Sequence, residues 1–227
     1  MPTLTRPDEV FVLDLGSDDN TVRPEWLGSV NAALDEVEAA SGPRALVAIG
    51  SGKVWSNGLD LPWLMAHPDQ AKANIAALHH LYARLLAFPV PTVAALQGHA
   101  FGGGAMLALA FDSRVMRADR GFWCLPEADL GIPFTPGMSA LVQARLSPPA
   151  AHEAMVTARR WTGADALAAR IVDAVADGDA VLEAATTLAR SRIAHAKPQL
   201  GVIKARMYAG TLALLREAEV DLATLRP

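Results

Sequence analysis

The pattern of apolar residues predicts an α/β fold that gives way to a helical C-terminal section. Three observations carry this expectation. Short strand-like runs alternate with helix-period segments in the first part of the chain. Three consecutive glycines, Gly102 to Gly104, separate one such strand from one such helix. Beyond Pro148 only helical periodicity is legible, so the boundary is drawn between an α/β core over 1–147 and a helical region over 148–227.

Taken in order, Glu9 to Leu15 alternates apolar and polar residues as a half-buried strand does. After the turn-like Asp18-Asp19-Asn20, Trp26, Val30, Leu34 and Val37 fall at helical spacing. Arg44 to Ile49 is a second apolar strand, closed by Gly50-Ser51-Gly52. Ile75, Leu78, Tyr82 and Leu85 mark one face of a helix that Pro89 and Pro91 end. Val93 to Leu96 reads as a third strand and leads through Gly98-His99-Ala100-Phe101 into the glycines and an Ala/Leu-rich helix. Helices are then expected over Pro148 to Arg160, Ala164 to Val175, Ala180 to Ala196 and Pro198 to Thr224. Thr162 with Asp165 three residues on is a capping-box start with Asp in place of the usual Glu. Pro198 suits a first helical turn.

Composition narrows the function classes. The chain has 227 residues, 52% of them hydrophobic and 19% charged, which supports a sizeable core and excludes extensive disorder. No apolar run approaches the roughly 18–20 residues of a membrane span. Met1 to Glu9 has no signal-like apolar stretch, and Thr224 to Pro227 is not a peroxisomal or retention address. The single cysteine, Cys124, leaves no internal disulfide and fits a reducing cytoplasm. A net charge of −4 argues against nucleic acid as a partner.

Three segments have the composition of chemistry-bearing loops. Glycines between a strand and a helix let backbone approach a ligand, with unpaired N–H groups aimed outward and the helix dipole behind them. The same segment reads equally as a tight strand-to-helix crossing. It is neither a phosphate-binding loop, since no Gly-Lys-Ser/Thr follows, nor a dinucleotide fingerprint, since the spacing is wrong. Val54-Trp55-Ser56-Asn57-Gly58-Leu59-Asp60-Leu61 contains an Asn-Gly pair that alone reads as a turn. Gly121 to Gly131 sets a lone Glu127 in an apolar stretch. Buried, that carboxyl would be raised toward the range of a general base; in water it would simply start a helix.

In this order and separation the three segments resemble the crotonase superfamily, the enoyl-CoA hydratase/isomerase enzymes. The family patterns "[F/W]-x-x-G-x-D", "G-x-x-x-G-G-G" and "F-x-x-P-E-x-x-L-G" correspond to Trp55 to Asp60, Gly98 to Gly104 and Phe122 to Gly131. Trp161 to Val172 is similar to the family's "T-A-x-E-A-x-x-x-G-L-V" helix, with Arg170 where Gly is usual. The resemblance implies a spiral of ββα turns with C-terminal helices that trimerise, an acyl-CoA substrate from fatty-acid metabolism, and a homotrimer or hexamer. It implies an oxyanion hole of backbone N–H groups, placed by position at Asn57 and Gly103, with Glu127 as the catalytic carboxylate.

The family's hydratases carry a second glutamate two residues after the last glycine, where this chain has Met106, and continue "P-G-A-G-G-T-Q", where this chain reads Pro133-Phe134-Thr135-Pro136-Gly137-Met138. Single-glutamate members are typically Δ3,Δ2-enoyl-CoA isomerases, and that is the function expected here. Hydratase, other crotonase-type lyase or hydrolase chemistry, and a non-catalytic CoA-binding protein stay open. Lys53, Trp55, Gly58, Asp60, Leu61, Gly102, Met106 and Lys204 are the candidate substrate- and CoA-contacting residues. The two lysines are assigned to CoA phosphates and the residues after Asp60 to the acyl wall; solvated lysines and plain core are the alternatives. Asp129 is a possible second polar group. His99 reads as packing and His79-His80 as a solvated pair. No cluster has metal-ligand spacing, so neither metal nor a cofactor beyond the CoA of the substrate is expected.

Overall fold

A computed structural model describes residues 1–178 and 180–217. The chain winds in turns that each send a strand to one large sheet, a strand to a small sheet, and a helix to the outside. An opening hairpin, β1 (Thr3–Thr5) and β2 (Val10–Asp14), leads to β3 (Thr21–Val22) and helix α1 (Pro24–Ala39). The next turn holds β4 (Ala45–Ile49), β5 (Val54–Ser56), β6 (Gly58–Leu59), α2 (Leu61–Ala66) and α3 (Pro68–Leu86). Then come β7 (Thr92–Leu96), β8 (His99–Phe101) and α4 (Gly103–Ala110), followed by β9 (Ser113–Arg117), β10 (Trp123–Cys124) and α5 (Glu127–Leu130). The remainder is α6 (Pro136–Arg145), α7 (Pro148–Thr157), α8 (Gly163–Ala168), β11 (Ala174–Ala176), α9 (Ala180–Ser191), a 3-10 turn at Ile193–His195, α10 (Pro198–Met207) and α11 (Ala209–Arg216).

The large sheet runs β1-β2-β4-β7-β9-β11, parallel except for β1. The small sheet, β10-β8-β5, takes the second strand of successive turns, and β3 pairs with β6. This repeat is the ββα spiral that the resemblance implied. Period-2 alternation divides the large sheet's side chains between two buried faces. Val10, Ala45, Val47, Val93, Ala95 and Val115 meet Val181, Ala185 and Ala189 of α9. Phe11, Leu13, Leu46, Ala48, Ala94, Leu96 and Met116 point into the main core under α1, α3 and α4.

The C-terminal section is not all helix. The segment expected as one helix over 164–175 ends at Ala168, turns through Arg170 at φ +58°, and becomes strand β11 beside β9. Arg114 draws it there: its side chain donates to the Ile171 carbonyl at 2.6 Å, and its N–H donates to Asp173 at 2.8 Å. The Thr162 cap forms as read, accepting from the Asp165 N–H. The last long helix divides at Tyr208, and its expected extension through 218–224 lies outside the described residues. Strands β5, β6, β8 and β10, two or three residues each, are too short to show a period.

Lys204 does not reach a CoA phosphate. It is 7% exposed, and its Nζ donates to the Phe88 carbonyl (2.9 Å), the Val90 carbonyl (3.1 Å) and Asp112 (2.7 Å). The ammonium thus ties α10 to the loop before β7. We predict that Lys204→Met lowers unfolding free energy by about 2–3 kcal/mol, because two carbonyls and a carboxylate lose their donor. The KM for an acyl-CoA thioester should stay within about twofold of the unaltered protein. Denaturant titration and steady-state kinetics check this; a raised KM at unchanged stability would restore a ligand-binding role.

Candidate active site

The site forms where the Asn57–Leu59 loop meets the N-terminus of α4. Asn20 prepares the loop: its side-chain amide donates to the carbonyls of Gly16, Val54 and Trp55, each at 3.1 Å. Ser56 Oγ donates to the Asn20 carbonyl (2.8 Å) and accepts from the Gly58 N–H (3.1 Å). Gly58 then turns at φ +72°, and a Cβ there would lie 2.5 Å from the Gly103 nitrogen. On the other side, a Cβ on Gly104 would lie 2.1 Å from the Ser56 carbonyl oxygen. Both positions therefore require glycine, and backbone meets backbone.

Gly102 (φ +51°) caps α4, and Gly103 is its first residue, so the Gly103 N–H is one of the first-turn donors that the helix cannot pair internally. The fully buried Tyr82 donates its hydroxyl to the Gly103 carbonyl at 2.7 Å and steadies this turn. Asp60 braces the opposite wall. It accepts from the Trp63 N–H at 2.9 Å, capping α2, and pairs with Arg23 and Thr21. Burial alone would raise its carboxyl, but the Trp63 N–H and Arg23 outweigh it, and the group is held below its ordinary value.

Glu127 opens α5, a single turn that Gly131 ends in the left-handed conformation. Its side chain is buried; Oε2 has no hydrogen-bond partner, and Oε1 lies 3.3 Å from where a Gly102 Cβ would be. Burial pushes the carboxyl up to about 7, against a smaller lowering by its own backbone N–H. It faces a cavity of about 480 Å³ whose walls are mostly apolar: Leu59, Leu61, Leu64, Met65, Ile75, Met106, Leu130, Ile132 and Met138. Among the described residues Glu127 is the one ionisable side chain on that wall, and Asn57 and Thr135 are the other polar ones.

Of the residues expected at the site, Asn57, Leu61, Gly102, Gly103, Met106 and Glu127 line this cavity together. Gly58 and Asp60 shape it from behind. The Asn57 N–H, expected as an oxyanion donor, is already donated to the Asp19 carbonyl at 3.0 Å and is not available. Trp55 is core rather than substrate wall: its indole donates to the Ala48 carbonyl at 3.3 Å and its ring meets Phe111 edge-on. Lys53 is exposed and off the cavity. Asp129 is exposed on α5, and His99 packs against Phe101 and Phe122. His79 is not solvated; it is 2% exposed and bonded through Nε2 to Thr135 Oγ1 at 3.0 Å. Thr135 was legible only as a possible helix cap before Pro136, not as a cavity residue, and Asn20 only as part of a turn, not as the brace of the loop after β5. Among the described residues no group of three or more His, Cys, Asp or Glu side chains converges as a metal site.

A ββα spiral that sets a helix N-terminus and a buried carboxyl on one apolar cavity defines the crotonase class. The chain belongs to the enoyl-CoA hydratase/isomerase family, which it matches over residues 8–224. It is 36% identical to enoyl-CoA delta isomerase 3 of Arabidopsis thaliana over 200 residues, covering 84% of each chain. Peroxisomal enoyl-CoA delta isomerase 2 of the same plant is 33% identical, covering 78% of this chain and 77% of that one. A crystal structure of a probable enoyl-CoA hydratase from Mycobacterium tuberculosis superimposes with a TM-score of 0.87 at 30% identity, covering 96% of this chain and 92% of that one.

Glu127 carries a consequence for stability. Its folded value near 7 lies above the ordinary 4.5, so between those pH values the folded protein holds a proton that the unfolded chain has released. Stability therefore falls as pH rises through this window, and the full penalty is present above it. Glu127→Gln should raise unfolding free energy by about 2–3 kcal/mol at pH 8 and leave it nearly unchanged at pH 4.5. Paired denaturation curves at the two pH values measure this. Equal effects at both would show that the carboxyl is not held protonated by burial.

Proposed function

We propose that the protein is a Δ3,Δ2-enoyl-CoA isomerase. The observation that carries this reading is the lone carboxyl: among the described residues Glu127 is the one ionisable group on the cavity wall, and Met106 lines it where a second glutamate would be. In this reading the thioester oxygen accepts from two backbone N–H groups. Gly103, first in α4, supplies one. Leu59 supplies the other, since the N–H groups of Asn57 and Gly58 are committed to Asp19 and Ser56 and Leu59 is the next residue on the wall.

Glu127 in its ionised form removes a proton from C2, and negative charge gathers on the thioester oxygen between these donors. The protonated carboxyl then returns the proton to C4. The double bond has moved from C3–C4 to C2–C3, and Glu127 is again ionised. Donors of this kind are typically worth about 2.7–4 kcal/mol each to the barrier. Hydration would need a second group to deliver or accept a proton, and a thioether does neither. Because the base must be ionised, kcat/KM should rise with pH up to about 7.

The same reading extends to assembly and compartment. Val202, Ile203 and Met207 on α10 and Leu214 on α11 are exposed apolar residues, between 39% and 72% accessible, and support a trimer or hexamer built through these helices. A cytoplasmic location is supported by the single buried, unpaired Cys124; among the described residues no helix is long and apolar enough to cross a membrane.

Purified protein should convert a 3-enoyl-CoA to the 2-enoyl isomer at least about tenfold faster than it hydrates crotonyl-CoA. Glu127→Gln should reduce isomerisation by about 10²-fold or more. Equal rates of hydration and isomerisation, or a fully active Glu127→Gln, would contradict the assignment. In light scattering the protein should run at three or six times the chain mass; a stable monomer at micromolar concentration would overturn the assembly.

A further inference from the structure

The cavity holds one polar device that moving a double bond does not use. Thr135, 8% exposed, caps α6, and its hydroxyl accepts from the Met138 N–H at 3.2 Å. The same oxygen bonds His79 Nε2 at 3.0 Å, and among the described residues it has no other partner. His79 Nδ1 is buried and unpaired. Burial, with the neighbouring His80 second, lowers the imidazole to about 4, so the ring is neutral at physiological pH and one nitrogen carries the hydrogen.

Two arrangements satisfy the His79–Thr135 bond. If the hydroxyl donates to Nε2, the hydrogen on Nδ1 is a buried donor without a partner. If Nε2 donates to the hydroxyl, Nδ1 is only an unfilled acceptor, which proteins tolerate better than an orphaned buried N–H. In the second arrangement both Thr135 lone pairs are occupied, by Met138 and His79. The hydroxyl hydrogen is then left over, on a residue that lines the cavity. A hydrocarbon chain filling this cavity would expel water and leave that O–H unpaired, which costs more than a single hydrogen bond returns.

We propose that Thr135, oriented by His79, selects acyl-CoA substrates whose acyl chain carries an oxygen acceptor beyond the reacting carbons. This rests on the acyl-CoA reading of the cavity and names the class of chain it takes. An ether oxygen is the cleanest probe, since it replaces a methylene with little change of shape and accepts without donating.

The test is calorimetric binding of a saturated acyl-CoA and of its isosteres with one methylene from C5 to C8 replaced by oxygen. One oxygen position should bind about 3- to 10-fold more tightly than the hydrocarbon chain, the worth of one hydrogen bond. Thr135→Val should abolish that preference, because the hydrocarbon chain no longer leaves an O–H unpaired and binds more tightly, while the oxygen-bearing chain loses its donor. Thr135→Ser, which keeps both hydroxyl and helix cap, should retain it. A wild-type protein with no preference at any position overturns the proposal without recourse to a variant. So does a preference that survives Thr135→Val, or a loss that is equal for both chains. Because these ligands are saturated, the outcome is independent of isomerisation: preferred binding without turnover of a 3-enoyl-CoA would sink the isomerase assignment and leave this one standing.

Discussion

Backbone touches backbone where the loop after β5 crosses the first turn of α4, and the site is built around that contact. Gly58 and Gly104 leave no room for even a methyl group against Gly103 and Ser56. The close approach puts the first N–H of α4 beside the cavity wall formed by Leu59. The Asn20 amide and the Ser56 hydroxyl hold one partner of the contact, and Tyr82 holds the other. Without this contact the two walls would separate, and the helix terminus would face solvent rather than a ligand.

The polarity of α4 is supported at both ends. Arg145 donates to the carbonyls of Leu109 (2.8 Å), Phe111 (2.8 Å) and Asp112 (2.9 Å), and Arg114 adds a second cation at the Phe111 carbonyl. Cations at the C-terminus complement the helix dipole and leave its positive end toward the cavity. The carboxyl of Glu127 sits over that end, yet burial still holds it near 7. A protein selected for stability alone would not place an unpaired carboxyl here. In the proposed reaction, that cost in folding free energy is what lets the group both take and return a proton near neutral pH.

Much of this was legible in the sequence because glycine and proline report on backbone geometry directly. The order of the Asn-Gly loop, the glycine run and the lone Glu127 sufficed to place the cavity's main parts. What failed depended on burial or on the direction of a single N–H. Asn57 stands at the right place and its pair with Gly58 reads as a turn, but nothing local in the sequence records that the Asn57 N–H points to Asp19. Lys204 and His79 read as surface groups because lysine and histidine usually are; their burial comes from partners more than fifty residues away. Arg170, in a conformation that favours glycine, hid the end of α8 and with it strand β11.

In the proposed mechanism one carboxyl carries the same proton from C2 to C4 of the substrate. The most direct measurement uses a 3-enoyl-CoA deuterated at both C2 positions, converted in ordinary water and stopped within the first few per cent of reaction. Glu127 Oε2 is buried, and a bound acyl chain would cover it further, so a proton held there should exchange slowly with solvent. A measurable share of product molecules should carry deuterium at C4. Product with C4 protonated wholly from solvent, at every stage of the reaction, would contradict transfer of the same, shielded proton by a single carboxylate.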